Sequence, residues 1–303
     1  MARIIPLLLI ISVLLSSCRS CNQDQDANKE FDIPDELMND EQPLPVSSEV
    51  IDEIVQNVSS PVETAALIKG LKVPFNKDYM ASTNSAKNMN TSFQKALGLG
   101  IYGADLGYLN MYEKTTVVID YISTVKDLAD GIQVGQFFDF NTLRRIATNK
   151  ENLDSLMLIS QQSFNRIDSY LRETNRASLS VVIIAGVWLE GLYLSTRVAQ
   201  DANHPRINET IGEQKVIMGT LMALLDNYKR DPNIATLISD FEEIKDLYKD
   251  VTITYEIGGE PTPVVKDGVL TFVQNDVQTI KMSDETLKAI ITKVQTLRNK
   301  FIS

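Results

Sequence analysis

From about residue 47 the apolar positions recur three or four residues apart, in one run after another, which is the period of amphipathic helices. Ser60-Pro61-Val62-Glu63 reads as a helix start: Ser60 can cap, Pro61 fits the first helical position and Glu63 can close a capping box. Residues 104–130 keep helical spacing through Leu106, Leu109, Tyr112, Ile119, Ile122, Val125 and Leu128, with a break at Thr116 and Gly131 suited to the C-terminal end. Leu153, Leu156, Ser160, Phe164, Ile167 and Leu171 form the next long helix, ending near Thr174-Asn175. Later runs are Ile217–Tyr228, Ile234–Tyr248 behind an Asp231-Pro232 start, and Leu287–Phe301 behind Ser283-Asp284-Glu285.

One segment has a different period. Val251 to Ile257 alternates strictly, Gly258-Gly259 turns the chain, and Asp267-Gly268 lies between two apolar runs. Asp-Gly in that setting is a strong hairpin signal. The predicted fold is therefore mainly α: a multi-helix bundle with a small antiparallel β-hairpin or sheet inserted before the last helix, over about residues 251–281. Such a hairpin is marginal alone, so one face is expected to pack on the helices. An exposed edge of it could recruit a partner strand, although most hairpins bury or blunt their edges.

The first residues follow neither pattern. Met1-Ala2-Arg3 precedes an apolar run from Ile4 to Leu15, the layout of a secretory leader and too short to cross a bilayer core of ~30 Å. Leu15-Ser16-Ser17-Cys18 then resembles the bacterial lipobox. That resemblance implies a lipoprotein signal peptide over residues 1–17, cleavage before Cys18, a diacylated Cys18 thiol and an acylated new amino group. Several acyl chains make a lasting membrane anchor where one is marginal. Cys21 follows Arg19 and lacks the preceding aliphatic residue, so Cys18 is the expected lipidation site.

Residues 18–46 read as an acidic disordered tether. Between Arg19 and Val46 there are eight acids against two bases, three prolines and few apolar residues. As a coil this stretch spans roughly 30 Å, enough to hold residues 47–303, a single helical domain, clear of the headgroups. An acidic stretch after the lipidated cysteine also resembles the surface-export signal of Bacteroidota lipoproteins. Anchoring to the outer membrane is expected, on its periplasmic or surface face.

Composition narrows the chemistry. The 303 residues carry a net charge of −11, with one His and two Cys. That is too few for a four-ligand Cys/His zinc site or a disulfide framework. An acidic chain also lacks the basic face that nucleic acid requires. His204, in Asn203-His204-Pro205, reads as a surface residue in a loop between helices. There is no Gly-x-Ser-x-Gly, P-loop, His-Glu-x-x-His or calcium loop. The expectation is no enzyme, no catalytic residue, no cofactor and no metal.

Ser180–Leu194 is apolar on nearly every face, which marks a central helix. Its one acid, Glu190, needs a donor, and Arg144, Arg145, Arg166 and Arg197 are the candidates. Asp105-Leu-Gly-Tyr108-Leu echoes Glu190-Gly-Leu-Tyr193-Leu, each preceded by a glycine, Gly100 and Gly186. The echo predicts two helices packed face to face, and Gly103 and Gly107 are read as the small residues that let a helix approach. Asp105, Tyr108, Trp188, Glu190 and Tyr193 are the candidate site. They form either the lining of a small-molecule pocket or a structural polar layer, and the layer is preferred because buried polar groups are normally hydrogen-bonded. Ala185-Gly-Val-Trp188-Leu-Glu190-Gly-Leu-Tyr193 resembles the core of a group of helical Bacteroidota envelope lipoproteins, which implies location and fold but no activity. The functional expectation is a lipid-anchored, non-enzymatic module that binds an envelope protein or serves as a scaffold; the alternative is a small-molecule-binding lipoprotein.

Overall fold

The helix starts are local chemistry, and most fall where the caps predict. The computed structural model describes residues 61–149, 153–202, 204–259, 262–266, 269–273 and 277–303. The leader, Cys18, Cys21, the tether, the Ser60 cap and the Asp267-Gly268 turn lie outside these residues. Among the described residues there are nine helices and four short strands. The first helix, α1, is Pro61–Gly70. Helix α2, Ser92–Met111, opens on a full capping box: Thr91 accepts from the Gln94 N–H, and the Gln94 side chain accepts from the Thr91 N–H.

The 104–130 stretch is not one helix. The chain leaves α2 at Tyr112, turns through Glu113 at φ 54°, and re-enters a helix at Thr115 to form α3, Thr115–Gly131. The Glu113 and Lys114 N–H groups return to Asn110 and Leu109 carbonyls, closing the end of α2. The Thr116 break is thus the frame shift between two antiparallel helices. Helix α4 is Phe140–Asn149 and α5 is Leu153–Glu173, which ends where Asn175 takes a φ of 57°.

Helix α6, Ala177–Ala202, is the axis of the bundle. It is long and apolar enough by composition to cross a membrane, yet 83% of its most apolar window is buried inside the fold. It packs on α1, α2, α5, α7 (Pro205–Asp226) and α9 (Asp284–Ile302). A helix surrounded on all sides has to be apolar all round. Helix α8, Pro232–Leu247, bridges α7 and α9. Asp231 caps it over Pro232, and Ser283 caps α9 by accepting from the Thr286 N–H.

The insertion consists of two antiparallel ladders. Strand β1, Thr252–Glu256, pairs with β4, Val277–Lys281; β2, Thr262–Lys266, pairs with β3, Val269–Val273. The pair Lys266↔Val269 leaves two residues for the connection, as an Asp-Gly hairpin requires. The base of the outer ladder meets the helices. Ile253 and Ile280 are cross-strand partners on one face, and Ile280 sits over Gly212 of α7, where an added Cβ would lie 2.6 Å from it. Farther along that face Tyr255 is 65% exposed and Ile257, just beyond the strand, is 92% exposed.

Candidate functional site

Helices α2 and α6 form the most extensive helix pair in the fold, and glycine makes it possible. A Cβ on Gly100 would lie 2.2 Å from the Ile183 carbonyl oxygen, and one on Gly186 would lie 2.2 Å from that of Leu97. The two glycines sit against each other, and both barriers are backbone, which cannot rotate aside. The predicted face-to-face pairing is therefore present. The close approach to α6 is made by Gly100 and Gly186, not by Gly103, where an added Cβ would meet open space.

One turn along the seam the two acids meet. Asp105 and Glu190 are both fully buried. Glu190 is held by Arg298 of α9 in a two-pronged ion pair: Nε donates to Oε2 and Nη2 to Oε1, each at 2.8 Å. The Arg298 guanidinium also lies 4.1 Å over the Tyr193 ring. Burial acts against its charge, but Glu190 and Asp105 outweigh that and raise its pKa, so Arg298 is a fixed cation.

The donor is Arg298 rather than Arg144, Arg166 or Arg197. Arg144 and Arg166 are exposed, Arg197 lies over the Tyr79 ring, and the Arg145 side chain is outside the described residues. The sign of Arg298 in the sequence is its place seven residues after Ile291 and four after Val294, within the apolar stripe of α9.

Asp105 Oδ2 accepts from the Ala81 N–H at 2.9 Å. Burial, reinforced by the Glu190 carboxylate, holds the Asp105 carboxyl well above the usual carboxylate range, with Arg298 and the Ala81 N–H pulling the other way. Ala81 belongs to an irregular strap, residues 71–91, to which the sequence assigns no element. Tyrosine hydroxyls pin this strap to the helices. Tyr102 donates to the Ser82 carbonyl at 2.7 Å, Tyr121 to that of Ala81 at 2.6 Å, and Tyr112 to that of Val73 at 2.7 Å. Burial is the main reason these phenols stay protonated donors, with Tyr112 pushed up to about 12.

The five predicted residues do not line one pocket. Asp105, Glu190 and, through Arg298, Tyr193 share a layer. Tyr108 faces the strap, stacked on Phe75 at 5.5 Å and accepting from the Asn76 N–H at 3.1 Å. Trp188 belongs to the far side of α6, donating to Gln214 at 2.9 Å and tilted against Phe241 at 5.4 Å. Trp188 and Glu190, two residues apart on α6, fall on different sides because a helix turns about 100° per residue. A ligand at Glu190 would have to displace Arg298.

His204 is the N-cap of α7, its Nδ1 accepting from the Arg206 N–H at 3.2 Å. Among the described residues no group of three or more His, Cys, Asp or Glu could hold a metal ion. Fold and site together define a mainly helical bundle closed around a buried carboxyl–carboxyl–guanidinium layer. No protein-family model, curated protein or solved structure matches the chain.

Proposed function

We propose that this chain is a lipid-anchored lipoprotein of the bacterial outer-membrane envelope. In this reading its helical body is a non-enzymatic module that presents the β1–β4 ribbon to a partner protein. The carrying observation is the exposed apolar end of that ribbon: Tyr255, Ile257 and Val277 are 65%, 92% and 54% exposed. Among the described residues β1 and β4 each pair with one strand only, so each has an outer edge of backbone donors and acceptors beside those side chains. Tyr255 and Ile257 share one face beside the outer edge of β1, with Val277 on the other face opposite Glu256. An apolar side-chain pair next to an open edge fits an extended segment of another protein. The polar groups that would otherwise invite a catalytic reading already have structural partners, Glu190 in Arg298 and His204 in the cap of α7. The anchor rests on Leu15-Ser16-Ser17-Cys18 and the acidic stretch behind it.

The test is in cells, with a photo-crosslinking residue at Ile257 and labelled palmitate. One envelope protein crosslinked from Ile257, but not from the exposed helix position Glu285, supports the reading. A crosslink only to a second copy of the chain, or none at all, overturns it. Label lost in Cys18→Ser and retained in Cys21→Ser supports the anchor; label unchanged in Cys18→Ser overturns it.

A further inference from the structure

The buried layer holds two carboxyl groups and one guanidinium, all away from water. Among the described residues, the groups that face Asp105 come from four helices and the strap. From α2 and α3 there are Tyr102, Tyr108 and Tyr121; from α6, Glu190; from α9, Arg298; and from the strap, the Ala81 N–H. Tyr102 and Tyr121 donate to strap carbonyls, and Arg298 spends Nε and Nη2 on Glu190. The Ala81 N–H serves Asp105 Oδ2, while Asp105 Oδ1 is buried with no donor aimed at it among the described residues. What lies within hydrogen-bonding reach of this carboxyl is Glu190, another acceptor. Two carboxylates cannot bond to each other; a carboxylic acid and a carboxylate can.

We propose that Asp105 is kept as the neutral acid and donates its proton, from Oδ1, to Glu190, so that the α2–α6 seam is closed by a shared proton and loosens when that proton is lost to solvent base. The proton belongs to Asp105 because Glu190 receives both prongs of the cation, whereas Asp105 receives one backbone N–H. With the proton in place the layer is electrically neutral. Without it, two negative carboxylates face each other beside one guanidinium, one turn from the Gly100–Gly186 contact. The raised pKa of Asp105 agrees with this arrangement.

The direction of the pH effect follows. The unfolded chain releases this proton near pH ~3.9, whereas the folded chain keeps it. Folding therefore takes up a proton above that pH, and the contribution of Asp105 to stability falls as pH rises, until the folded group itself titrates. The slope approaches a tenfold loss in folding equilibrium constant per pH unit. Asp105→Asn imitates the neutral acid, since its amide can donate to Glu190 while its oxygen accepts from Ala81.

The experiment is urea unfolding of the full chain and of Asp105→Asn from about pH 5 to pH 9, with infrared spectra of the folded proteins. The expected result is a stability gap that moves in favour of Asp105→Asn by up to tenfold per pH unit as pH rises. A carbonyl band of a protonated carboxylic acid, present at neutral pH and missing in the variant, is expected with it. A gap independent of pH, or one that moves against the variant as pH rises, overturns the proposal. Should Asp105→Asn fail to fold, the infrared band of the parent chain decides: its absence at neutral pH overturns the proposal, and its presence with loss at alkaline pH supports it.

Discussion

The seam between α2 and α6 and the ribbon of β1 and β4 are built from opposite materials. In the seam glycines bring two backbones into contact, two acids and an arginine share a dry layer, and tyrosine hydroxyls tie down the strap beside it. In the ribbon Ile253 and Ile280 reach the helices, while Tyr255, Ile257 and Val277 are exposed beside strand edges that have no second partner among the described residues. Polar groups inside and apolar groups outside reverse the usual placement in both regions. The reversal means different things in the two. Buried polar groups that satisfy one another are a specificity device that locks one helix pairing. Exposed apolar groups are where the proposed partner contact would be made.

The largest effect should come from breaking the layer on one side. Arg298→Ala leaves the Glu190 carboxylate buried without its cation and next to Asp105, and should cost about 3–5 kcal/mol. Urea unfolding followed by the emission of Trp188, the chain's single tryptophan, measures it. Adding Glu190→Leu and Arg298→Met together should recover most of that loss, because the desolvation of both charges disappears with them. A single variant as stable as the parent would mean that the pair is solvated and that the seam is not the dry layer described.

The next effect tests packing without touching charge. Gly100→Ala sets a Cβ against the Ile183 carbonyl and the Val187 N–H, at 2.2 and 2.7 Å, so α6 must move as a body. The expected loss is about 1–3 kcal/mol. Gly103→Ala, where nothing stands within 4 Å, should instead gain a few tenths of a kcal/mol from helix propensity, about the difference between alanine and glycine reduced by context. Equal effects at the two glycines would remove the distinction between the crossing point and the rest of α2.

These two regions also divide what the string of residues reveals. Helix starts at Asp231-Pro232 and Ser283 are legible because a cap is settled by neighbours in sequence, and the strands are legible because period two needs only five residues. The face-to-face pairing of α2 and α6 is legible from the Gly and acid–Tyr echo. Two things are not. The donor to Glu190 lies 108 residues away, and its only mark is a charge inside an apolar stripe. The strap has no regular period: Val73, Tyr79, Met80, Ala81 and Met89 are buried at irregular spacing, and hydroxyls and Asp105 hold its backbone. Trp188 is near Glu190 in sequence, but two residues along a helix is about 200° of rotation, which sends it to Gln214 and Phe241.

The smallest effect on stability is expected at the ribbon, and it is the sharpest contrast with the seam. Ile257→Ser removes an apolar side chain that is 92% exposed and supports nothing beneath it. A surface substitution of this kind should stay within about 0.5 kcal/mol of the parent. Ile280→Ser, on the same ladder but over Gly212 of α7, takes away an apolar contact between ribbon and helix and should cost more, about 1–3 kcal/mol. Unfolding curves of the two variants side by side therefore locate the boundary between the part of the ribbon that belongs to the core and the part that does not. If Ile257→Ser destabilises as much as Ile280→Ser, the outer ribbon is packed in solution and its apolar face is already covered. If only Ile280→Ser does, the strip from Tyr255 outward is free of any role in folding, and the selective reason for keeping isoleucine and tyrosine in water has to lie in what touches them.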